Sequence, residues 1–460
     1  MSSQSQQSWT YDRSAAWHPF TQMQEFLQTP PIVIKRGEGC WLEDDKGNRY
    51  LDATASIWTN TLGHCHPELD DVLRTQSEQL AHSTYLGLTH DAGNRLEKSL
   101  QRIAPAELTR VFFSDNGSTA VEIALKLSFQ YWQLVGKPQK TRVLAMQDAY
   151  HGDTIGTMSV GDSPLFHERF HHWFFQVDRF PRPDEHGSNA EKSLASLEQF
   201  LDRAADQTAC LIMEPWVQGA AAMAMQPLEF IKQVEQICRK YEIHFILDEV
   251  FTGFGRVGPM LVSSESGVTP DFLCLAKGMT AGYLPMAATL ANEEVFNAFL
   301  GEYSEYKHFF HGHTFTGNPL AAAVANRNIE ILEEMIPSEA HQLRLQEFSR
   351  VVHATFDDHP DVAEVRLRGF ACALDLRTSQ PRVGHQVANI ARQHGLLLRP
   401  IANSLLLVPP LIISSEEIHF LCDNVAQSIS QTLSIINYEK ELHPRGNPTN
   451  LRTPVYYADF

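Results

Sequence analysis

An aspartate and a lysine stand at the ends of two apolar runs in the middle of the chain. Asp248 closes the run His244–Asp248, and Lys277 directly follows Phe272–Ala276. If both runs are buried strands, both side chains arrive at a strand's carboxyl end, where open α/β sheets bind ligands. An amine for an aldehyde and a carboxylate for a ring nitrogen are the two groups that pyridoxal phosphate (PLP) requires. The pair therefore predicts a PLP site with Asp248 and Lys277 as catalytic residues.

Each of these two residues has a plainer explanation when it is taken alone. A lysine at a strand end is often a solvated surface residue, and a structural salt bridge explains a buried aspartate equally well, since a buried unpaired charge is costly. Together they favour the functional interpretation, because lysine is seldom buried without a reason. Partial desolvation of Lys277 would lower its pKa and favour the neutral amine that attacks an aldehyde.

Two further segments follow candidate strands and supply complementary chemistry. Asp115–Thr119 joins a strand to a helix, so its backbone N–H groups and the helix dipole can hold a phosphate, and Gly117 allows a close approach. Ala149–Asp153 offers Tyr150 to stack on a flat ring, with Asp153 orienting a basic partner. A simple capped turn and a surface turn are the alternative interpretations of these two segments.

The middle of the chain alternates between strand and helix patterns, which predicts an α/β fold with a mostly parallel sheet covered by helices. Between the first two strands, apolar residues from Val121 to Trp132 follow a 3.6-residue stripe. Thr119 with Glu122 fits a capping box at the start of that helix. The candidate strands are Val111–Phe113, Val143–Met146, Cys210–Glu214, His244–Asp248, Phe272–Ala276 and Met286–Leu290.

Both ends of the chain carry shorter strand patterns, such as Cys40–Leu42 and Leu405–Val408, mixed with helical ones. They predict a second, smaller α+β domain built from both termini. The last residues are rich in polar side chains and proline and predict an extended tail. The predicted segments are 1–75 and 330–439 for the small domain, 76–329 for the large PLP-binding domain, and 440–460 for the tail.

The composition is that of an ordinary enzyme-sized chain: 460 residues, 43% hydrophobic and 20% charged. A net charge of −18 argues against nucleic acid or an anionic membrane as a partner. The sequence shows neither a signal-peptide pattern nor an apolar stretch long enough to span a bilayer. Seven scattered cysteines without a C-x-x-C pair favour reduced thiols. We therefore expect a cytoplasmic enzyme with small-molecule substrates.

Together, these segments resemble the class III (ω) aminotransferases of the PLP fold-type I superfamily. The resemblance runs from about Trp17 to about Ile429, and its most specific part is Phe245–Arg256 followed by Leu275–Gly278. It implies that Lys277 forms the Schiff base and moves protons, and it assigns a ring-stacking catalytic role to Tyr150. It also implies a homodimer with shared active sites, because one phosphate contact comes from the neighbouring subunit. The implied cofactor-binding residues are Gly117, Ser118, Tyr150, Asp248, Lys277 and, from that neighbour, Thr314.

Within this class, the segment Trp17–Met23 is similar to the family that converts 8-amino-7-oxononanoate to 7,8-diaminononanoate in biotin biosynthesis. The similarity implies that Arg399 grips the substrate carboxylate. Phe20 and the pair Ile57-Trp58 replace the tyrosine and the Trp-Trp pair of many members that use S-adenosylmethionine, and they match members that use lysine. Lysine is therefore the predicted amino donor, with S-adenosylmethionine as the alternative. The implied substrate-binding residues are Phe20, Trp58, Gly312 and Arg399.

Other functions stay open at the level of sequence. Another ω-aminotransferase or a PLP aminomutase would share both catalytic residues, and Arg256 is a second candidate for a substrate carboxylate. Gly253–Gly258 spells G-x-G-x-x-G, but Pro259 follows where a long helix should begin, so an NAD-dependent dehydrogenase is a remote alternative. The pairs His64–His66 and His311–His313 lack the spacing of metal ligands, and no metal is predicted.

Overall fold

The computed structural model describes residues 16–28 and 30–442, which fall into two compact units. The domain bounds given above stay a prediction: 1–75, 76–329, 330–439 and 440–460. The first unit contains the described residues of Met1–Trp58, Leu62–His66 and Glu339–Phe460, and the second contains Thr59–Thr61 and Pro67–Ser338.

Strands and helices alternate through most of the described chain. The strands are β1 (Ile34–Glu38), β2 (Trp41–Asp44), β3 (Arg49–Asp52), β4 (Arg110–Ser114), β5 (Arg142–Met146), β6 (Val177–Phe180), β7 (Thr208–Met213), β8 (Val217–Gln218), β9 (Ala224–Met225), β10 (His244–Asp248), β11 (Phe272–Leu275), β12 (Ala287–Ala291), β13 (Val362–Arg368), β14 (Ala371–Leu376), β15 (Leu396–Leu397) and β16 (Ser404–Leu407). The α-helices are α1 (Met23–Phe26), α2 (Pro67–Gln79), α3 (Asp91–Ile103), α4 (Gly117–Leu134), α5 (Ile155–Val160), α6 (Pro164–His167), α7 (Ala190–Ala204), α8 (Leu228–Lys240), α9 (Val262–Ser266), α10 (Glu293–Ala298), α11 (Pro319–Met335), α12 (Glu339–Phe356), α13 (Val383–Gln393) and α14 (Ser415–Leu442). Short 3-10 turns occupy Glu168–Trp173, Ala205–Gln207, Lys277–Thr280 and Tyr303–Glu305.

The second unit is built around a seven-stranded sheet with the order β4-β12-β11-β10-β7-β5-β6. Strand β10 pairs in parallel with β11 and β7, and β5 pairs in parallel with β6 and β7. Strand β12 pairs antiparallel with β11 and β4. All residues of the central strand β10 are buried, as expected for a strand covered on both faces of the sheet. The predicted α/β fold with a mostly parallel sheet is confirmed.

The six predicted strands of this sheet are all present, with ends displaced by at most two residues. The predicted capping box was wrong, because α4 begins two residues before Thr119. Asn116 is the N-cap, and its side chain accepts the backbone N–H of Thr119 at 3.0 Å. Glu122 instead accepts hydrogen bonds from the hydroxyl of Thr154 at 2.5 Å and the N–H of Gly156 at 2.8 Å. The helix start therefore lies at the glycine, which matters for the site described below.

The first unit contains two small sheets, β1-β2-β3-β15 and β13-β14-β16, together with α12, α13 and α14. Strand β15 pairs in parallel with β3, so residues far apart in sequence lie side by side: Leu396 opposite Leu51, and Leu397 opposite Asp52. The last helix runs to Leu442, so the first residues of the predicted tail are helical, and the remainder lies outside the described residues. Within residues 16–28 and 30–442, no helix is long and apolar enough to cross a membrane.

Candidate active site

Asp248 is the last residue of the central strand β10, and only 3% of it is exposed. Its Oδ1 accepts the backbone N–H of Val250 at 3.0 Å, and its Oδ2 lies 2.7 Å from Nδ1 of His151. The His151 side chain is fully buried and holds the carboxylate in one orientation. A carboxylate offers about four lone-pair sites, so Asp248 retains the capacity to accept a further N–H. His151 lay inside a motif that the sequence singled out, but its contact with Asp248 was not predicted.

Lys277 lies two residues after β11 in a left-handed backbone conformation, with φ of +45°. Its ammonium nitrogen lies 5.7 Å from the ring centroid of Phe251. Desolvation lowers the pKa of Lys277, and the opposing effects of Asp248 and Glu214 only partly offset it. A lowered pKa raises the fraction of neutral amine, which is the form that attacks a carbonyl. A strained backbone at a residue of this kind is typical of functional sites.

Glu214 is a buried carboxylate near these two residues, and the sequence reasoning treated it only as a strand end. It is 4% exposed and accepts the backbone N–H groups of Tyr150 at 3.0 Å and Gly219 at 3.1 Å. Desolvation raises the pKa of Glu214 to about 7, against the lowering effect of His151 and with a further increase from Asp248. The signal for Glu214 was the same as for Asp248: an acid that closes an apolar run.

The N-terminus of α4 forms a cradle with the loop that carries Tyr150. The amides of Gly117 and Ser118 belong to the first turn of the helix, where no intrahelical acceptor is available. A Cβ at Gly117 would lie 2.6 Å from Cγ1 of Val250, and one at Gly152 would lie 2.0 Å from Oγ of Ser118. Both glycines are therefore required by close packing. This helix end, with its free donors and dipole, suits a phosphate.

Tyr150 is held by two neighbours in the same unit. Its hydroxyl donates to Oδ2 of Asp153 at 2.8 Å, and its ring stacks on His167 with centroids 5.6 Å apart and an interplanar angle of 22°. The predicted basic partner of Asp153 is this histidine, whose Nε2 lies 3.0 Å from Oδ1. Desolvation raises the pKa of Tyr150, and the charge of Asp153 raises it further. The tyrosine therefore stays protonated, and its ring stacks on that of His167.

The residues brought together in the second unit match the groups that PLP requires. They provide a desolvated amine at Lys277, a buried carboxylate at Asp248, an aromatic ring at Tyr150, and a helix N-terminus at Gly117 whose first-turn amides suit a phosphate. The donor set and the shape of the cradle fit that cofactor. Four sequence-predicted residues thus lie at or just after strand ends of one sheet: Gly117, Tyr150, Asp248 and Lys277.

The loop from residue 308 to 315 contains two further predicted residues. Gly312 and Thr314 are both exposed, and a Cβ at Gly312 would meet nothing within 4 Å. Nδ1 of the neighbouring His313 lies 3.9 Å from Oδ2 of Asp115, which precedes the cradle. The loop therefore approaches the cradle, while Thr314 and Gly312 face away from the packed interior.

The G-x-G-x-x-G segment does not open a nucleotide-binding helix. Gly253–Gly258 forms a series of turns after β10, and the next helix, α9, has only five residues. Arg256 within it is 1% exposed, and its charge lowers the pKa of Lys277. These glycines shape the loop beside Lys277, as the sequence context indicated. In the described part of the chain, no cluster of three or more histidine, cysteine or acidic side chains is arranged to hold a metal ion.

Arg399 lines a cavity of about 410 Å³ within the first unit. Desolvation lowers the pKa of its guanidinium to about 10, so the group stays charged near neutral pH. Among the described residues, the lining includes Ile57 and Pro19, the chain neighbours of Trp58 and Phe20, but neither of those two residues nor Gly312. Of the four predicted substrate residues, Arg399 is therefore the one that this cavity contains. The lining is mixed, with a second arginine, Arg392, the carboxylate of Asp52 and the two histidines His18 and His385. Its aliphatic side chains include Ile32, Ile34, Leu42, Ile57, Leu397 and Leu398.

Ala55–Trp58 forms a left-handed turn beside this cavity. The φ angles of its four residues are +44°, +47°, +67° and +68°, and none of the four is a glycine. Each such residue costs about 1–2 kcal/mol relative to a right-handed conformation. The buried carboxylate of Asp52 offsets this cost: Oδ1 accepts the N–H of Ser56 at 3.1 Å, and Oδ2 accepts its hydroxyl at 2.7 Å. Asp52 was not predicted as a functional residue.

The sequence matches the family Aminotransferase class-III over residues 23–429. It is 44% identical to an adenosylmethionine-8-amino-7-oxononanoate aminotransferase of Geobacter sulfurreducens, over 91% of this chain and 96% of that protein. The crystal structure of the enzyme of that name from Methanocaldococcus jannaschii has a TM-score of 0.88 and 38% identity, covering 93% of this chain and 99% of that one. An amine transaminase from an uncultivated Pseudomonas species, solved in its PLP-bound form, has a TM-score of 0.84 and 33% identity, covering 91% and 99%.

The family match extends over most of the chain, and the fold and donor set described above agree with it. Class III aminotransferases depend on PLP, and the structural neighbours include a PLP-bound and a PMP-bound transaminase. The protein is therefore a PLP-dependent aminotransferase that belongs to the class III family.

Proposed function

We propose that this aminotransferase transfers an amino group from a donor to 8-amino-7-oxononanoate and thereby forms 7,8-diaminononanoate in biotin biosynthesis. The observation that carries the proposal is the cavity of the first unit, whose lining combines aliphatic side chains with the guanidinium of Arg399 and that of a second arginine, Arg392. A linear keto acid has one carboxylate and an aliphatic chain, which match these two features. The names of the relatives at 44%, 40% and 39% identity agree with this substrate.

We assign roles in the second unit to the residues that the sequence singled out. Lys277 would provide the amine for the cofactor aldehyde, and its neutral amine would then move the proton between the substrate carbon that bears the nitrogen and the cofactor. Asp248, oriented by His151, would accept the ring N–H, and Tyr150 would cover one face of the ring. Gly117 and Ser118 would donate backbone N–H groups to the phosphate. PLP supplies the electron sink that stabilises negative charge next to the amine nitrogen.

We also propose a homodimer with shared active sites, in which Thr314 of one subunit contacts the phosphate held by the other. Support comes from the exposure of Gly312 and Thr314 in a loop that approaches Asp115 beside the cradle. The substrates are small molecules, and no nucleic acid or membrane takes part. A cytoplasmic location agrees with the seven cysteines, all of which are free thiols.

The donor is either S-adenosylmethionine or lysine, and the two lines of support differ. The relatives' names favour S-adenosylmethionine. Phe20 and the single tryptophan of Ile57-Trp58 favour lysine, because a tyrosine hydroxyl is missing at the first position. Adding each donor separately to the yellow PLP-loaded enzyme distinguishes them, since only a competent donor bleaches the absorbance band. Bleaching by S-adenosylmethionine with inert lysine would overturn the lysine prediction.

A second candidate function is that of an amine or ω-amino acid transaminase with pyruvate or 2-oxoglutarate as acceptor. The structural likeness to the Pseudomonas amine transaminase, at 33% identity, favours it. This enzyme would share the residues of the second unit, so those residues do not separate the two candidates.

The deciding experiment is a steady-state assay of 7,8-diaminononanoate formation by wild-type enzyme and by Arg399→Ala. We expect product with the wild type and a KM for 8-amino-7-oxononanoate raised about ten- to a hundredfold in the variant, because a charged hydrogen bond is worth ~1.5–3 kcal/mol. An enzyme that aminates pyruvate but not 8-amino-7-oxononanoate would contradict the proposal and support the second candidate.

A further inference from the structure

Two segments follow neighbouring strands of one sheet at the same end. They are the left-handed turn Ala55–Trp58 and the segment that carries Arg399. Strands β3 and β15 run in parallel, with Asp52 opposite Leu397, so the residues that follow each strand emerge side by side. After β3 the chain enters the turn, and after β15 it reaches Arg399 within two residues. The pairing register of two parallel strands therefore sets the spacing between the turn and the guanidinium.

The turn is held by the residue that closes β3. Asp52 is 1% exposed, and its Oδ1 accepts the hydroxyl of Thr54 at 3.2 Å in addition to the N–H of Ser56. Nε2 of His64 lies 3.1 Å from Oδ2. Four consecutive non-glycine residues in the left-handed region persist only where the surroundings over-determine them. A buried carboxylate with this many donors provides that constraint.

The cavity lining includes residues of this arrangement: Asp52, Thr54, Ser56 and Ile57 on the side of the turn, and Leu397, Leu398 and Arg399 on the side of β15. Ile57 contributes an aliphatic side chain to this lining, and Arg399 contributes a charged guanidinium. We propose that Asp52 is a positioning residue for the amino acceptor: it holds Ala55–Trp58 in the left-handed turn so that Ile57 packs against the aliphatic chain of the keto acid gripped by Arg399. This inference rests on the proposed function, because it takes the cavity as the acceptor site.

The test compares Asp52→Asn with a matched control, Asp44→Asn. Asp44 is also a buried aspartate of the first unit, 3% exposed, and it also organises a turn, accepting the N–H groups of Lys46 at 2.9 Å and Asn48 at 2.8 Å. It does not line the cavity. We expect Asp52→Asn to raise the KM for 8-amino-7-oxononanoate about tenfold or more, as misplacing a substrate-positioning element does. We expect Asp44→Asn to lower Tm without changing that KM.

If Asp52 had only a structural role, Asp52→Asn would also change PLP binding and the absorbance of the bound cofactor. The visible absorbance band and the PLP dissociation constant report on residues of the second unit, and we expect both to be unchanged in Asp52→Asn. An equal acceptor KM in Asp52→Asn and Asp44→Asn would overturn the inference. A general weakening, in which PLP binding and Tm fall while the acceptor KM does not rise beyond the control, would also overturn it.

A second variant keeps the inference testable if Asp52→Asn does not fold. His64→Ala removes a contact behind Asp52 without touching the cavity lining, and we expect the same rise in acceptor KM to a smaller extent. A wild-type KM in His64→Ala would contradict the role of the turn. Arg399→Ala in the same assay separates the two proposals: a wild-type KM there contradicts the acceptor site itself, whereas a wild-type KM in Asp52→Asn alone contradicts only the turn.

Discussion

At the scale of single residues, the site depends on buried groups that change the protonation of their neighbours. Asp248 and Lys277 were readable from the sequence because each ends an apolar run, a pattern that forces a polar group to the edge of a sheet. Glu214 shows the same pattern, but a plain strand end explained it as well. The contact of His151 with Asp248 was not predictable, since the two residues lie 97 positions apart in the sequence. The sequence predicted a basic partner for Asp153 but gave no local pattern that identifies His167 as that partner.

Glu214 gives a prediction for the pH dependence of stability. Its pKa in the folded protein is about 7, raised above the ordinary value of 4.5 by burial. The folded state therefore holds a proton that the unfolded state releases between about pH 4.5 and 7, so the contribution of Glu214 to stability is present at low pH and is lost as pH rises through 7. Glu214→Gln removes this loss.

We measure the change in unfolding free energy that Glu214→Gln causes relative to wild type. Between pH 5 and pH 8, we expect this change to shift in favour of the variant by at most about 3 kcal/mol. Urea unfolding of both proteins at the two pH values measures the difference, and the wild type serves as its own control for all other titrating groups. A difference in unfolding free energy that does not change with pH would contradict the buried, proton-binding state of Glu214.

At the scale of elements, the close approach of the α4 N-terminus to the loop after β5 creates the cradle that we propose to hold the phosphate. The sequence predicted this helix but placed its cap wrongly, because Thr119 and Glu122 have the spacing of a capping box while Asn116 supplies the actual cap. Glu122 is engaged by the α5 region instead, a tertiary contact that no local pattern reveals. Gly152 permits the close contact between this loop and Ser118, and Gly117 permits that between the helix end and Val250.

Gly152→Ala tests this contact, with Gly258→Ala as a matched control. Both glycines have positive φ, +128° and +119°, but a Cβ at Gly152 would lie 2.0 Å from Ser118 Oγ, whereas one at Gly258 would meet nothing within 4 Å. We expect Gly152→Ala to weaken PLP binding roughly ten- to a hundredfold through lost charge-assisted hydrogen bonds to the phosphate. Titration of the apoprotein with PLP measures this. Equal PLP dissociation constants in the two variants would show that backbone strain alone, and no cradle, explains the effect.

At the scale of the whole molecule, the two units differ in how much of them the sequence predicted. Six strands of the seven-stranded sheet were predictable because they are short, mainly apolar runs. Strand β6 was not predicted, because its sequence Val-Asp-Arg-Phe carries two charged residues. The arrangement around Asp52 was not, because Ala55–Trp58 carries no glycine or asparagine to signal a left-handed turn, and its partner strand β15 lies more than 300 residues further along the chain. Sequence patterns report local burial well and long-range register poorly.

Lys277 is the amine that we propose to hold the cofactor, and the chain offers an internal control for this assignment. Lys140 is also buried and also has a lowered pKa, of about 8, but its ammonium group donates to the carbonyl groups of Ala205, Thr208 and Glu242 at 2.9–3.0 Å, away from the site. Borohydride reduction of the PLP-loaded enzyme, followed by peptide mapping, fixes the cofactor to whichever lysine carries it. We predict a single labelled peptide containing Lys277, and none in Lys277→Ala. Labelling at Lys140 or another lysine, or an unchanged label in Lys277→Ala, would contradict the account.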